Sequence, residues 1–483
     1  MPDLATPGPY GRRPFLLAFL LFLAVQRSVI TILGGGFSGS ALAVHLAHLP
    51  GQYAADVHLV EPRSALGPGL AYSGERPEYL LNVRACSLSL LAQEPSHFTA
   101  WLSQNGVQKA AQQFFPRQLY GQYVQETVAP LLTEPAANGL RFFRHATSAT
   151  AVRPLANEQA AQVELADGQR ILSNHVVLAL GNFPPLPPTQ MPEQPPGFHP
   201  NPWAPGALAT IAPTDSVLLI GSGLTAVDVL LGLRATGHQG TLTVVSGHGH
   251  WPAAHLGPQA PYPSFYHHSL QGLTTVSQVL TAVRQEIRQA ARAGIDWRPV
   301  LDSLRPDLGR IWAAWPPEEQ SRFLRHLASL WTTVRHRSPP QNAAFIAGML
   351  SSGQLRQHVG RVQHLEPAAE GLRVHTRHAG QLTTLFARHV IACTGPLLDY
   401  TRIQDPLIVQ MRTEGLLLPD ALRLGILTNE HGALLQRHGA ASPMLFTLGA
   451  SRRPQSFEST AVPELRQQAA DLALHLAALL PAA

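Results

Sequence analysis

The chain has 483 residues, of which 45% are hydrophobic and 13% are charged. These proportions are typical of a globular protein with two or three domains. The net charge of +5 comes from 34 arginines and one lysine, Lys109. No run of five like charges and no zinc-finger or helix-turn-helix signature occurs, so we predict no nucleic-acid partner.

Residues 1–28 precede the first predicted strand. They contain Arg12-Arg13-Pro14-Phe15-Leu16 and then an apolar run to Val25, a pattern typical of a twin-arginine export signal. The run is shorter than the roughly 20 residues that a membrane-spanning helix needs, so we predict no stable membrane span. We interpret the segment as an extension or an upstream start, and predict a cytoplasmic protein, with twin-arginine export as the alternative.

A first glycine fingerprint follows the β-forming run Val29–Leu33. It comprises Gly34, Gly36 and Gly39, with Ser38 inside it, and an apolar helix comes next. Glycines in this pattern permit a tight turn, the approach of a pyrophosphate to backbone, and close helix packing. A second strand then ends in Glu61, where a dinucleotide fold needs an acceptor for ribose hydroxyl groups. We predict a site for FAD here.

A second fingerprint, Gly221-Ser222-Gly223-Leu224-Thr225-Ala226, follows the strand-like run 217–220. The candidate binding residues are Gly221, Ser222, Gly223 and Thr225, and the predicted cofactor is NAD(P)H. The next strand, 241–245, ends in Ser246 rather than an acid, which favours NADPH slightly. However, no arginine stands beside Ser246 in the sequence. A vestigial Rossmann domain is the alternative interpretation.

Other segments fill in the architecture. The sequence predicts a hairpin formed by residues 161–165 and 171 onward, with its turn at Asp167-Gly168. It also predicts two apolar strands, His175–Leu178 and His389–Ala392. Apolar residues at helical spacing predict helices over 276–287 and 323–331. Arg335-His336-Arg337 closes the second of these, either complementing the helix dipole or lining a pocket for an anion.

These elements predict an α/β fold with two Rossmann-like dinucleotide-binding domains, the second inserted in the first, and an added helical block. The predicted parts are an FAD-binding segment 29–205, an NAD(P)-binding-like domain with the helical block 206–380, and a second FAD-binding segment 381–483. Two cysteines, Cys86 and Cys393, form no C-x-x-C motif, which argues against a disulfide reductase, and we predict that both are buried. The histidines show no ligand spacing, so we predict no metal.

The chain resembles the YdhS-like family of FAD/NAD(P)-binding proteins, which is distantly similar to flavin-dependent N-hydroxylating monooxygenases. The resemblance implies that Asn82 and Gly449 lie near the flavin, although the family often carries arginines where Gly247 and His248 stand here. The motifs that carry it are Gly34-x-Gly36-x-x-Gly39, Gly67-x-Gly69-Leu70-Ala71-Tyr72, Leu81-Asn82-Val83, Pro116-Arg117-x-x-Tyr120-Gly121, Arg335-His336-Arg337, Asp405-Pro406-Leu407 and Ala461-Val462-Pro463-Glu464-Leu465-Arg466.

Both lines of argument lead to an FAD-dependent oxidoreductase that takes hydride from NAD(P)H. We predict a monooxygenase-like enzyme acting on an unidentified small molecule. The alternatives are an NAD(P)H-dependent reductase without oxygen insertion and a non-catalytic FAD-binding sensor or partner protein.

Overall fold

Two mainly parallel sheets form the centre of the computed structural model, which describes residues 27–481 except 75, 156–158, 188–193 and 205. The signal-like motif Arg12-Arg13 and its apolar run lie outside the described residues. Within the described residues, no helix is long and apolar enough to cross a membrane.

The described residues form seventeen strands. In chain order they are β1 (Ser28–Leu33), β2 (Ala55–Val60), β3 (Arg141–His145), β4 (Ala149–Pro154), β5 (Ala161–Leu165), β6 (Arg170–Ser173), β7 (His175–Leu178), β8 (Phe198–His199), β9 (Val217–Ile220), β10 (Leu242–Ser246), β11 (Leu355–Val359), β12 (Arg361–Ala368), β13 (Gly371–His378), β14 (Gln381–Ala387), β15 (His389–Ala392), β16 (Ala433–Leu435) and β17 (Ala441–Thr447).

Twelve α-helices in the same residues connect and cover these strands. They are α1 (Phe37–Ala47), α2 (His97–Gln104), α3 (Arg117–Val128), α4 (Leu224–Ala235), α5 (Val276–Arg292), α6 (Trp297–Asp302), α7 (Leu308–Ala313), α8 (Pro317–His326), α9 (Ala328–Arg335), α10 (Pro340–Ser351), α11 (Pro406–Thr413) and α12 (Val462–Leu479).

The first sheet has the order β16-β17-β7-β1-β2-β3, with all neighbours parallel except β16 and β17. It combines strands from the start of the chain with strands from its end. Helices α1 and α12 pack together over this sheet, and Leu42, Leu46, Leu472 and Leu476 are fully or almost fully buried between them. The first dinucleotide domain is therefore completed by the C-terminal segment, as the sequence predicted.

The second sheet has the order β11-β10-β9-β15-β8, with all neighbours parallel. Both β8 and β15 belong to it, whereas the segment bounds drawn from the sequence placed 198–199 and 389–392 with the FAD-binding segments. The physical reason is that β15 is apolar and buried throughout. Such a strand suits the centre of either parallel sheet, so its sequence does not indicate which one it joins.

The structure contains the predicted α/β architecture and most of the predicted elements. Strands β5 and β6 form the predicted hairpin, and α5 begins at Val276. The predicted helix over 323–331 is divided into α8 and α9 at Leu327. Cys393 is buried as predicted, but the same prediction was wrong for Cys86, which is exposed in the middle of a short helical turn.

Helix α1 approaches the first sheet so closely that only glycine fits at position 39. A Cβ atom on Gly39 would lie 1.9 Å from the main-chain oxygen of Gly34 and 3.1 Å from the Ile32 side chain. Because the first of these contacts is with backbone, the helix itself would have to shift. This is the close packing that the third glycine of the fingerprint permits.

We expect Gly39→Ala to lower the free energy of unfolding by at least about 1–3 kcal/mol, the usual cost of overpacking. The matched control is Gly348→Ala in α10, where an added Cβ meets no atom within 4 Å. That change should stabilise the protein by about 0.5–1 kcal/mol, because alanine favours the helical state. Urea denaturation of both variants measures the difference, and equal stabilities would contradict the packing argument.

Candidate functional site

The first fingerprint forms a tight turn between β1 and α1. Gly34 has a φ of +107°, and a Cβ atom there would lie 2.3 Å from the main-chain oxygen of Ala179. Helix α1 begins after Gly36 with no side-chain cap and no acidic residue in its first turn. Its first N–H groups therefore have no side-chain competitor, which is what an anionic pyrophosphate requires.

Glu61 is held in a fixed orientation at the end of β2. Only 2% of the residue is exposed, and its carboxylate accepts hydrogen bonds from the backbone N–H groups of Gly35 (2.9 Å) and Arg63 (3.0 Å). The Arg63 guanidinium lies 3.2 Å from the same carboxylate. A carboxylate has about four acceptor positions, so ribose hydroxyl groups still have an acceptor here.

The second fingerprint repeats this geometry between β9 and α4. Gly221 has a φ of +110° and faces the main-chain oxygen of Cys393, which a Cβ atom would approach to 2.5 Å. Gly223 precedes α4, which also starts with no side-chain cap and no acid in its first turn. A Cβ atom on Gly223 would meet nothing within 4 Å, so the approach to this helix end is open.

The two fingerprints meet at one cleft of about 320 Å³. The residues lining it include Gly34, Gly36, Ser38 and Glu61 from the first site and Thr225 from the second. Because residues next to both helix starts line the same space, nucleotides bound at the two sites would approach each other there.

The other predicted site residues lie outside the lining of this cleft. Gly39 packs α1 against the turn, whereas Gly449 lies beside Ser38, since a Cβ atom there would be 3.1 Å from the Ser38 Oγ. Asn82 uses its main-chain oxygen to accept a hydrogen bond from His255 Nε2 (2.8 Å). In the second fingerprint, Gly221, Ser222 and Gly223 are the predicted residues outside the lining.

An ion pair that the sequence analysis missed crosses the cleft. Arg117 of α3 donates from Nη2 to the Asp228 Oδ2 of α4 at 3.0 Å, and both residues line the cleft. The guanidinium also lies over the ring of Trp203, 5.9 Å from its centroid. Burial raises the pKa of the Asp228 carboxyl to about 6, and the Arg117 charge offsets only part of that rise. Arg117 and Asp228 are 111 residues apart, so no local pattern could have paired them.

The Arg335-His336-Arg337 motif connects the helical block to other parts of the chain. Arg335 is buried and lies 3.7 Å from the carboxylate of Glu458 and 3.5 Å from that of Glu464. Arg337 pairs with Asp302 and lines a second cleft, of about 300 Å³. The sequence offered two interpretations of this motif, a complement to the helix dipole and the lining of a pocket for an anion. In the structure Arg335 has carboxylate partners, whereas Arg337 lines a cleft.

The family comparison covers the first part of the chain. Residues 31–183 match the model of a family described as FAD-NAD(P)-binding. This range contains the whole first fingerprint, Glu61 and Asn82. The match supports the prediction of FAD together with NAD(P)H. Among curated protein sequences, none matches the chain.

Solved structures resemble nearly the whole chain. The ornithine N-hydroxylase of Kutzneria sp. 744 has a TM-score of 0.62 at 13% identity, covering 94% of this chain and 99% of its own. The L-lysine 6-monooxygenase of Pseudomonas syringae has 0.62 at 16%, covering 94% and 100%. The cadaverine monooxygenase of Erwinia amylovora, solved with FAD bound, has 0.63 at 14%, covering 94% and 96%. These likenesses confirm the predicted fold of two dinucleotide-binding domains.

The raised pKa of Asp228 predicts a pH-dependent stability. A carboxyl whose pKa is higher in the folded state than its ordinary 3.8 favours folding only while it is protonated, so this contribution is lost as the pH rises towards about 6. We expect the stability of the wild type to fall relative to Asp228→Asn between pH 4 and 7, by up to about 3 kcal/mol. Urea denaturation at each pH measures this difference, and a pH-independent difference would contradict the assignment.

Proposed function

We propose that the protein is an FAD-dependent oxidoreductase that takes hydride from NAD(P)H and acts as a monooxygenase on a small molecule. The observation that carries this proposal is the pair of uncapped helix starts, α1 and α4, whose neighbouring residues line one cleft. Two cofactors that exchange a hydride need to meet in a common space, and a protein supplies mainly their orientation.

The residues of the first site fit FAD. The uncapped start of α1 after Gly36 would bind the pyrophosphate, and Glu61 would accept from the ribose hydroxyls. Gly36 also faces another glycine, because its Cβ atom would lie 3.3 Å from the Cα of Gly69. The two backbones therefore approach each other more closely than a side chain at either position would allow. The likeness to the cadaverine monooxygenase, whose structure contains FAD, supports the same assignment.

The residues of the second site fit a nicotinamide cofactor. The open approach to Gly223 and the uncapped start of α4 suit a second pyrophosphate. The hydroxyl of Ser222 already donates to the main-chain oxygen of His250 at 2.6 Å, which leaves its backbone for the phosphates. The flavin, when bound, would accept the hydride and react with oxygen, while this chain would hold the two nucleotides at one cleft.

Two observations support the monooxygenase assignment, one from solved structures and one from sequence motifs. The three solved structures, from Kutzneria sp. 744, Pseudomonas syringae and Erwinia amylovora, are all named as N-hydroxylating or monooxygenase enzymes, and each covers nearly all of this chain. The motifs quoted from the sequence resemble the YdhS-like family, and we propose that the chain belongs to it.

Anaerobic titration tests the hydride transfer. We expect the purified protein to absorb between about 350 and 550 nm and to bleach on addition of NADPH or NADH. Fast return of colour in air supports a monooxygenase, whereas slow return favours the reductase. Colour that neither nucleotide bleaches would contradict the proposal and favour the sensor.

Replacement of Glu61 tests the FAD assignment. Glu61→Ala removes the carboxylate proposed to accept from the ribose, and hydrogen bonds to charged groups contribute about 1.5–3 kcal/mol each. We therefore expect FAD to bind about 10- to 100-fold more weakly, measured by fluorescence titration of the apoprotein. The matched control is Glu126→Ala, which removes an exposed glutamate of α3 that pairs with Trp101 and Gln122. Equal FAD affinity of the two variants would refute this role of Glu61.

A further inference from the structure

The carboxyl end of β10 is the position where a dinucleotide fold distinguishes NADPH from NADH. The strand ends at Ser246, and residues 246–250 contain no aspartate or glutamate. An acid at this position would bind the ribose 2′-hydroxyl of NADH, while an arginine nearby would accommodate the 2′-phosphate of NADPH. The sequence offers neither within this loop.

The arginine is supplied by the neighbouring strand. Strand β11 runs parallel to β10 with Ser246 opposite Val359, and the backbone N–H of Gly360 donates to the main-chain oxygen of Ser246 at 3.0 Å. The next residue, Arg361, therefore leaves the sheet at the same edge as Gly247. A Cβ atom on Gly247 would lie 3.8 Å from the Arg361 Cγ and 4.0 Å from its Nε.

A second arginine stands beside Arg361. Arg377 is its direct partner in the antiparallel pairing of β12 with β13, so both side chains project from the same face of that sheet. Both residues are exposed. Across the part of the chain that the structure describes, neither guanidinium has a carboxylate partner or a hydrogen bond. Like charges directly opposite each other repel, and a bound anion would offset that repulsion.

The loop between these arginines and the second fingerprint is fixed by hydrogen bonds at both ends. The Ser222 Oγ donates to the main-chain oxygen of His250. The Gly249 N–H donates to the Ser246 Oγ at 3.1 Å, and the Gln357 Nε2 of β11 donates to the Gly249 main-chain oxygen at 2.7 Å. The fingerprint, the loop and Arg361 thus form one continuous edge.

We propose that Arg361, assisted by Arg377, binds the 2′-phosphate of NADPH, so that the protein uses NADPH in preference to NADH. This inference rests on the proposed function, because it concerns the nicotinamide cofactor of the second site. The guanidinium fork matches a phosphate in charge and geometry. Gly247 has no side chain, which leaves room beside it for the arginine that β12 provides.

Calorimetry with nucleotide fragments tests the site without any redox reaction. The probes are 2′,5′-ADP, which carries the 2′-phosphate, and 5′-AMP, which lacks it. We expect the wild type to bind 2′,5′-ADP more tightly, and Arg361→Ala to weaken that binding by about 10- to 100-fold while 5′-AMP binding stays unchanged. Arg377→Ala should cause a smaller loss of the same kind. The matched control is Arg356→Ala, an exposed arginine of β11 paired with Thr243, three residues before the end of β10.

Three results would overturn the inference. They are equal affinity of the wild type for the two fragments, an unchanged affinity of Arg361→Ala for 2′,5′-ADP, and an equal loss in Arg356→Ala, which would indicate general charge attraction. Anaerobic reduction of the flavin separates this inference from the proposed function. If NADPH bleaches the wild type and Arg361→Ala equally, only the phosphate site fails. If neither nucleotide bleaches the wild type while the fragments still discriminate, the hydride transfer fails and the phosphate site remains.

Discussion

Binding a pyrophosphate to backbone requires helix N–H groups that no side chain occupies. In this chain α1 and α4 both start after a glycine, without a side-chain cap and without an acid in the first turn. Helices α5 and α11 show the alternative, since Thr275 and Asp405 cap them through their side chains. An uncapped helix start costs free energy in the absence of a ligand. In α1 and α4 the uncapped start follows directly on a glycine turn, and residues of the first turn of each helix line the cleft, which is why the site depends on these two helix starts.

A second constraint is that the two nucleotide domains have to keep a fixed separation across the cleft. Arg117 reaches from α3 to Asp228 on α4, and Tyr79 of the first domain packs so closely that a Cβ atom on Gly232 would lie 2.5 Å from its hydroxyl oxygen. The ion pair is largely buried, and the pKa of Asp228 is raised rather than lowered. The free-energy cost of desolvating the carboxylate therefore exceeds the gain from its attraction to Arg117. The ion pair thus holds the two domains in position more than it stabilises the fold.

The sequence predicted those features that depend on residues adjacent to one another in the chain. The glycine turns, Glu61 at the end of β2, the hairpin of β5 and β6 and the helix that begins at Val276 all follow from local patterns. Prediction failed where the same local pattern suits two places. The apolar residues 389–392 are as compatible with the first sheet as with the second, and only pairing with Val217–Ile220 decides between them. Long-range contacts such as Arg117 with Asp228 leave no periodic signal at all.

For the same reason, the residues of the loop after β10 do not by themselves indicate which cofactor the domain prefers. A parallel sheet places the carboxyl ends of neighbouring strands side by side, so a ligand at that edge meets residues from several strands. Here the residue beside Gly247 comes from position 361, more than a hundred residues later, after the entire helical block. The block lengthens the connection between β10 and β11 without separating the strands, because Ser246 and Val359 remain paired. Cofactor preference in such a domain therefore depends on residues from several neighbouring strands. The glycine fingerprint and the strand after it include only some of these residues.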